Sequence, residues 1–435
     1  MKAKLIYLWD KLRTNFWFIP LLIIILAVLA AYGLVFIDNT VNYKPEGLIR
    51  LFFSGTADSA RSVLSVIAGA MIGVAGTVFS ITLVALTLAS SQFGPRLLRN
   101  FMHDRLNQVV LGSYVASFIY CLLVLRIVQA ENKVDFVPNI SVLFAILGAF
   151  VNILLLIWFI HHISVNIQAD KVIADLDQGM LGNIKNLFPD QKEATPSPPN
   201  QKDIDHLKKE YSASFTVYSN KNAYLQAVDY EGLLSLALEN DLVIHLDHRA
   251  GNFLVQGAEL VRIWCRKECD DPTKKKILDS FVIGQIRTPA QDAEFAIHQM
   301  VEIAARALSP GINDPYTAIS CIDRLTSTMC YLTHAKFPVA HRLDEEGKLR
   351  LVLNPLTFGG LLDAAFHQIR QFGKDSPAVL IHLMEALITI FRFTQNQSQK
   401  NAVKRHADMV LRAGETAFIE KNDVADLKDR YKAFD

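Results

Sequence analysis

The uncharged stretch SVLSVIAGAMIGVAGTVFSITLVALTLASSQFGP, residues 62–95, decides what kind of protein this is. It runs for 34 residues between Arg61 and Arg96. As a single helix at 1.5 Å per residue it would be about 50 Å long, whereas the hydrocarbon core of a bilayer measures about 30 Å. We therefore predict a transmembrane helix that tilts, kinks or projects beyond the membrane.

Three further uncharged runs predict three more spans, at residues 16–37, 106–125 and 136–160. The first is longer than the apolar region of a secretory signal peptide, about 7–15 residues, and it continues into Asp38 without a convincing cleavage site. We therefore expect it to remain in the mature protein. Together the four spans predict a transmembrane domain over residues 1–165.

The distribution of Lys and Arg predicts the orientation of these spans, because short cytoplasmic loops carry an excess of both residues. With the N-terminus inside, the inner segments hold seven basic residues and the outer segments hold five. Four spans then return the chain to the cytoplasm, so we expect the large C-terminal region there as well. The inner residues are Lys2, Lys4, Lys11, Arg13, Arg96, Arg99 and Arg105, and the outer residues are Lys44, Arg50, Arg61, Arg126 and Lys133.

The rest of the chain resembles a soluble domain in composition and divides by periodicity. Residues 166–202 predict a juxtamembrane helix followed by a Pro-rich linker. Alternating apolar residues predict a small β-rich domain over residues 203–287, and helical spacing from Pro289 onward predicts a helical domain over residues 288–435. The predicted fold class is an α-helical membrane domain with four transmembrane helices, followed by a cytoplasmic α+β region made of a small β-rich domain and a helical bundle.

Composition and motifs argue against several classes of protein. Lys and Arg number 44 and Asp and Glu 43, and this balance argues against a nucleic-acid partner. Five cysteines without a repeated spacing argue against a disulfide scaffold. The catalytic motifs G-x-S-x-G, H-E-x-x-H, G-x-G-x-x-G and the Walker lysine are absent from the sequence. We therefore expect no enzyme activity, no catalytic residues, no cofactor and no metal site.

Glycine and hydroxyl side chains recur along one face of the long uncharged helix, at spacings of 4, 3, 4, 7 and 4 residues. Three alternatives follow for this small-residue stripe: a helix–helix seam within one subunit, a seam between subunits, or the lining of a pore made by several copies. Hydroxyl groups along a narrow aqueous path suit weakly held ions or small solutes. The stripe consists of Gly69, Gly73, Gly76, Ser80, Thr87 and Ser91.

Two further groups of residues are candidates for binding. Gln92, Arg96 and Arg99 follow the stripe and would form the cytoplasmic mouth of such a pore. Residues 306–317 predict a tight corner between two helices, which is either only a well-built turn or a small anion or ligand site at a helix N-terminus. The candidate ligand-binding residues in this region are Arg287, Gln291, Asp292, Asn313, Asp314 and Thr317.

Three stretches of sequence carry a resemblance to a known family. They are FSITLVAL (79–86) running into SQFGPRLL (91–98), GQIRT (284–288) with Gln291 and Asp292, and RALSPGINDP (306–315) with Thr317 and Ala318. Over nearly its whole length the chain resembles a bacterial family of predicted membrane proteins catalogued as domain of unknown function 2254. The resemblance implies a multi-pass protein of the bacterial inner membrane with a large cytoplasmic region, and it implies no substrate.

These observations favour a homo-oligomeric ion channel or passive transport protein whose cytoplasmic region forms a vestibule or gate. Four spans are few for a monomeric transporter, so several copies would have to enclose the path. The expected partners are the lipid bilayer, further copies of the chain, and a small ion or solute. The alternative is a membrane-anchored sensor or scaffold that binds a ligand or a protein through its cytoplasmic half.

Overall fold

The computed structural model describes residues 17–40, 56–94, 104–130, 137–189, 211, 213–266 and 270–435. Within these residues the chain forms thirteen α-helices and eight β-strands. They fall into two compact units, Met1–Lys171 and Val172–Asp435. The predicted linker at residues 194–202 lies outside the described residues.

The first unit consists of four long helices, each apolar and long enough to cross a membrane. The prediction of four spans is therefore confirmed. They are α1 (Phe18–Thr40), α2 (Ala57–Phe93), α3 (Arg105–Ala130) and α4 (Asn139–Asn166). Helix α2 has 37 residues and is therefore about 55 Å long. It is capped at its N-terminus by Thr56, whose hydroxyl accepts a hydrogen bond from the Ser59 amide, and at its C-terminus by Gly94, which has a φ of 106°.

Helix α3 is the centre of this unit, because it packs against α1, α2 and α4 and is the most buried of the four. Gly112 allows the close approach of α1, since a Cβ at this position would lie 2.8 Å from the Cα atom of Pro20. Two buried tyrosines attach α3 to α4. The Tyr114 hydroxyl donates to the Asn152 carbonyl at 2.6 Å, and the Tyr120 hydroxyl donates to the Ser141 carbonyl at 2.9 Å.

Several buried polar groups at the centre of the first unit bind one another. Asn152 is 1% exposed, and its Oδ1 accepts from the Ser113 hydroxyl at 2.6 Å. Its Nδ2 donates to Ser117 Oγ at 2.7 Å and lies 3.4 Å from Met71 Sδ on α2. Interhelical hydrogen bonds of this kind stabilise helix packing in lipid, where water cannot compete.

The second unit combines two sheets with a helical bundle. Its first helix is α5 (Ala169–Leu187), which begins just before the boundary between the units. The strands are β1 (Ala213–Tyr218), β2 (Ala223–Val228), β3 (Leu242–His245), β4 (Phe253–Leu254), β5 (Glu259–Cys265), β6 (Phe281–Gly284), β7 (His341–Leu343) and β8 (Leu349–Val352). The five-stranded sheet has the order β1-β5-β3-β8-β7, and the three-stranded sheet has the order β4-β2-β6. All pairs are antiparallel except β3 and β8.

Nine α-helices of the described chain contribute to the second unit, including α5. Two accompany the sheets, α6 (Tyr230–Glu239) and α7 (Asp271–Asp279). The helical bundle consists of α8 (Ala293–Ala307), α9 (Pro315–His334), α10 (Phe358–Phe372), α11 (Pro377–Phe393), α12 (Gln397–Ala417) and α13 (Lys421–Tyr431), followed by a short 3-10 turn, Lys432–Phe434.

The prediction that only helices follow Pro289 is wrong at one place, because β7 and β8 form a hairpin there. The turn contains Gly347 with a φ of 80°, and all four residues of β8 are buried. Arg350 on β8 is held by Asp344 at 2.8 Å and Asp241 at 2.7 Å, so its charge is compensated inside the protein. Strands from the predicted helical domain thus complete the sheet of the predicted β-rich domain.

Candidate functional site

The small-residue stripe lies on the exposed face of α2. All six of its members are exposed, and a Cβ at Gly69, Gly73 or Gly76 would meet no atom within 4 Å. At 3.6 residues per turn, the buried residues of α2 fall on the opposite side of the helix. They are Ala60, Leu64, Ala68, Met71, Ala75, Val78, Ala89 and Phe93. Among the described residues the stripe therefore does not form a seam within one subunit, which removes the first of its three alternatives.

The hydroxyl groups of the stripe donate their hydrogen bonds inward, to the backbone of their own helix. Ser80 donates to the Gly76 carbonyl at 2.9 Å, Thr87 to the Leu83 carbonyl at 2.9 Å, and Ser91 to the Leu88 carbonyl at 2.8 Å. A hydroxyl oxygen keeps acceptor lone pairs when its proton is engaged in this way. The outer surface of the stripe therefore presents hydroxyl oxygens as hydrogen-bond acceptors.

The predicted mouth is only partly within the described chain. Gln92 is exposed, one residue before the end of α2 at Phe93. Arg96 and Arg99 lie outside the described residues, so their place in a mouth stays a prediction.

A cavity of about 460 Å³ lies between α1, α3 and α4, and none of its lining residues belongs to α2. Its lining is mostly apolar. The hydroxyls of Ser113, Ser117 and Tyr120 border it, but they already bind Asn152 and the Ser141 carbonyl. Such a cavity suits a hydrocarbon chain better than an ion, because it offers an ion no uncommitted ligand.

In the second unit, three of the predicted ligand-binding residues form hydrogen bonds near the N-terminus of α8. They are Arg287, Gln291 and Asp292. Asp292 is 1% exposed, caps α8 through the Phe295 amide at 2.9 Å, and binds Arg287 through both carboxylate oxygens at 2.8 and 2.9 Å. Burial raises the pKa of Asp292, although Arg287 acts in the opposite direction. The Gln291 amide accepts from the Val228 N–H at 2.9 Å and donates to its carbonyl at 3.2 Å. These polar groups are thus committed to contacts within the fold.

The predicted corner is present between α8 and α9. Asn313 adopts a left-handed conformation with a φ of 51°. Asp314 caps α9 by accepting from the Thr317 N–H at 3.1 Å and from its hydroxyl at 2.6 Å. Asp314 also donates its own N–H to the Ala307 carbonyl at 2.8 Å. These bonds account for a stable turn, and in the described chain none of them reaches Arg287, Gln291 or Asp292.

The structure also brings together a group of residues that the sequence analysis did not predict. Asp363 and His367 lie one turn apart on α10, and His406 projects from α12. The Nε2 atoms of His406 and His367 lie 2.7 and 3.3 Å from the same Asp363 Oδ1 atom. The two imidazole rings are stacked, with centroids 4.8 Å apart. We call these three residues the His-Asp cluster.

Arg405 completes the surroundings of this cluster. Its Nη2 lies 2.5 Å from Asp363 Oδ1. Burial acts to raise the pKa of Asp363, but hydrogen bonds from Arg405 and His406 hold it below its ordinary value. His406 is 1% exposed, and burial lowers its pKa to about 4, so its imidazole is neutral at neutral pH. Asp363 and His367 form an i,i+4 pair that the sequence displays, but His406 follows 39 positions after His367, so no local motif reveals the group.

A cleft of about 770 Å³ runs along α10 and α12, where its lining includes Arg370, Lys374 and Arg412 with a single carboxylate, Asp375. None of the three basic side chains forms an ion pair with a described residue. The Nε atom of Arg370 is buried, and its N–H donates a hydrogen bond to no described group. The cleft therefore carries an excess of positive charge.

The sequence of this chain is similar to those of other bacterial proteins. Relatives of 32% identity over 430 residues occur in Mycobacterium bovis and in two strains of Mycobacterium tuberculosis, where each is described as an uncharacterized protein. The matches cover 96% of this chain and 79% of each relative. No solved structure matches the chain. A family described as "Predicted membrane protein (DUF2254)" matches residues 13–389, in agreement with the four apolar helices. The chain belongs to this family of predicted membrane proteins.

Proposed function

We propose that the protein is a homo-oligomeric channel or passive transport protein in which the stripes of several α2 helices enclose the path. The observation that carries this proposal is the exposure of the stripe on the side of α2 opposite its packing face. The C-terminal unit would then serve as a cytoplasmic vestibule or gate.

Large apolar side chains make up much of the exposed surface of the first unit, including the flanks of the stripe on α2, at Val66, Phe79 and Val84. Helix α4 exposes large apolar side chains that suit contact with lipid, among them Phe150, Leu154 and Trp158. Helix α1 does the same with Leu29 and Phe36. An exposed stripe of glycine and hydroxyl residues gains little from acyl chains, whereas it permits close approach of another helix or contact with water.

The length of the stripe also fits a path across the membrane. From Gly69 to Ser91 it covers 22 residue steps, or about 33 Å at 1.5 Å per residue. This is close to the hydrocarbon thickness of about 30 Å. Because the cavity inside one subunit is largely apolar, a polar path requires several copies around a common axis.

The inward hydrogen bonds of the hydroxyls favour cations over anions. Outward-facing oxygen lone pairs can replace part of a cation's hydration shell, as oxygen ligands do in selectivity filters. An anion would instead need outward-facing donors. We therefore expect K⁺ or Na⁺ to cross more readily than Cl⁻.

The test is ion flux through purified full-length protein in liposomes, with Ser80→Leu compared with Ser164→Leu. Both serines are exposed and bond back to a carbonyl four residues earlier, but only Ser80 belongs to the stripe. A leucine in the path forms a hydrophobic constriction, so we expect Ser80→Leu to reduce flux about tenfold or more, and Ser164→Leu to leave it unchanged. No flux above empty vesicles for K⁺, Na⁺ and Cl⁻, or an equal loss in both variants, would contradict the proposal.

A second measurement tests assembly separately. Gly73 and Gly33 are exposed helix glycines with open space beside them, on α2 and α1 respectively. We expect Gly73→Leu to shift the particle mass in lipid nanodiscs to smaller assemblies, and Gly33→Leu to leave the mass unchanged. A wild-type monomer in nanodiscs would leave no shared path and would exclude the channel.

The alternative function, a membrane-anchored sensor, is favoured by the basic cleft along α10 and α12. We expect such a sensor to bind an anion, and the probe is inorganic pyrophosphate in a thermal-shift assay on the full chain. Arg412→Gln should abolish the shift, and Arg392→Gln, an exposed residue outside the cleft, should preserve it. A shift without measurable conductance would favour the sensor over the channel.

For both functions we propose the same topology: a protein of the bacterial inner membrane with both termini in the cytoplasm, with no catalytic activity and no nucleic-acid partner. Reporter fusions at the two termini test the topology directly. A periplasmic C-terminus would reject it.

A further inference from the structure

We propose that the His-Asp cluster is a binding site for Zn²⁺ or a chemically similar divalent transition ion. The inference rests on Asp363, His367 and His406, and it stands whether or not the protein conducts ions.

The three potential ligand atoms already converge in the fold. They all lie within 4.8 Å of one another, and both imidazole Nε2 atoms face Asp363 Oδ1. The packing of α10 against α12 thus brings the potential ligands together without an ion. Ligands on packed helices of this kind are held more firmly than ligands on loops.

Close packing of α10 on α12 maintains this convergence. A Cβ at Gly359 would lie 3.7 Å from the Ala402 Cβ, one turn before the cluster on each helix. His406 is buried and flanked by the buried residues Val403 and Ala407. The position of the least accessible ligand is thus fixed before any ion arrives.

The chemistry of the three groups selects the class of ion. Two imidazole nitrogens and one carboxylate suit Zn²⁺ and its neighbours in the transition series, whereas Mg²⁺ and Ca²⁺ prefer oxygen ligands. Asp363 and His367 are about one-third exposed, so water can reach the fourth position of a tetrahedral Zn²⁺ site.

Arg405 gives the proposal a distinctive consequence. Its guanidinium contacts Asp363 Oδ1, the oxygen toward which both histidines point. A bound cation would have to share this carboxylate with a second positive charge. Arg405 therefore opposes metal binding, and its removal should strengthen the site.

The experiment is titration of the tag-free, chelator-treated full-length protein with ZnCl₂ in an isothermal calorimeter, and with CoCl₂ followed by visible absorption. We expect one ion per chain, an absorption band of tetrahedral Co²⁺, and no comparable binding of MgCl₂. His367→Ala, at a partly exposed position that tolerates change, should weaken Zn²⁺ binding at least about tenfold, since even the loss of an outer partner costs this much.

Two variants separate a metal site from a merely structural hydrogen-bond group. His382→Ala is the matched control, because His382 pairs with Asp323 at 2.7 Å elsewhere in the bundle, and it should bind Zn²⁺ like the wild type. Arg405→Gln should bind up to about fivefold more tightly, the size of an exposed charge interaction.

Three results would overturn the proposal: absence of Zn²⁺ binding to the wild type, equal affinities of His367→Ala and wild type, or weaker binding by Arg405→Gln. Melting curves provide a readout for folding. Zn²⁺ should raise the melting temperature of the wild type and of His382→Ala, but not of His367→Ala.

Discussion

Helices α2 and α3 both contain glycine, but in opposite surroundings. On α3, Gly112 faces the backbone of α1, and a Cβ there would lie 2.8 Å from the Pro20 Cα atom. On α2, a Cβ at Gly73 would meet nothing within 4 Å. The glycine that the fold of one subunit requires is therefore outside the small-residue stripe, and the stripe itself faces outward.

The difference separates two uses of small residues in a membrane protein. Gly112 on α3 allows α1 to pack closely within one subunit. The small residues on the outer face of α2 make no such contact within the described chain, and our channel proposal assigns them to contacts between copies. Substitutions on the two helices should accordingly have unlike effects, and the following four range from large to negligible.

Gly112→Leu should have the largest effect, a loss of about 3 kcal/mol in the free energy of unfolding, because the new side chain collides with the α1 backbone. Unfolding in detergent mixtures of increasing SDS content measures this. Gly33→Leu, on the open side of α1, is the control and should lose no stability, because leucine favours the helix over glycine and meets no neighbour there. Equal stability of the two variants would mean that α1 and α3 do not pack as described.

Asn152→Leu should cost about 1 kcal/mol in the same assay, because it leaves the Ser113 and Ser117 hydroxyls without their buried partner. The triple variant with Ser113→Ala and Ser117→Ala should recover part of the loss, since it removes the unpaired groups as well. A triple variant less stable than Asn152→Leu alone would show that the hydroxyls have other partners.

Gly73→Ala should act in the opposite direction on α2. Alanine favours the helix over glycine by up to about 1 kcal/mol, and no neighbour in the subunit obstructs its methyl group. We therefore expect a small gain in the stability of the monomer in detergent. Gly112→Ala should lose stability instead. A gain in stability in both variants would contradict our claim that Gly112 is packed against α1 whereas Gly73 is unobstructed.

Thr87→Val should have the smallest effect on unfolding, within about 0.5 kcal/mol. The hydroxyl is exposed and bonds only to the Leu83 carbonyl, which keeps its intrahelical partner when the hydroxyl is removed. A loss above 1 kcal/mol in the monomer would place Thr87 in a packing contact of the subunit.

The helices were the most predictable part of the fold, for a physical reason. An uncharged run longer than about 18 residues has few stable alternatives to a membrane span, and all four predicted runs correspond to long helices. The predicted β-rich domain, residues 203–287, contains β1 to β6 of the described chain. The sequence analysis did not predict the hairpin of β7 and β8, through which β8 pairs with β3 in the five-stranded sheet. These short strands are defined by pairing with distant segments, which local periodicity does not encode.

The candidate sites show the same limit. The spacing of Gly69, Gly73 and Ser80 predicted that they share a face, and the structure places them together on α2. Spacing could not predict that this face points away from the subunit, since that depends on which side α3 covers. His406 contacts Asp363 because α12 packs against α10. No sequence pattern predicts that contact.

The parallel pairing of β3 with β8 has a consequence for biosynthesis. Ile244 lies opposite Leu351, so 107 positions of chain separate two partners in one sheet. While the ribosome makes α8 and α9, one edge of β3 is still without its neighbour, and an open strand edge is prone to pair with other chains. A fragment ending near residue 287 would keep this edge permanently open. The last third of the protein thus acts as the folding partner of the middle third.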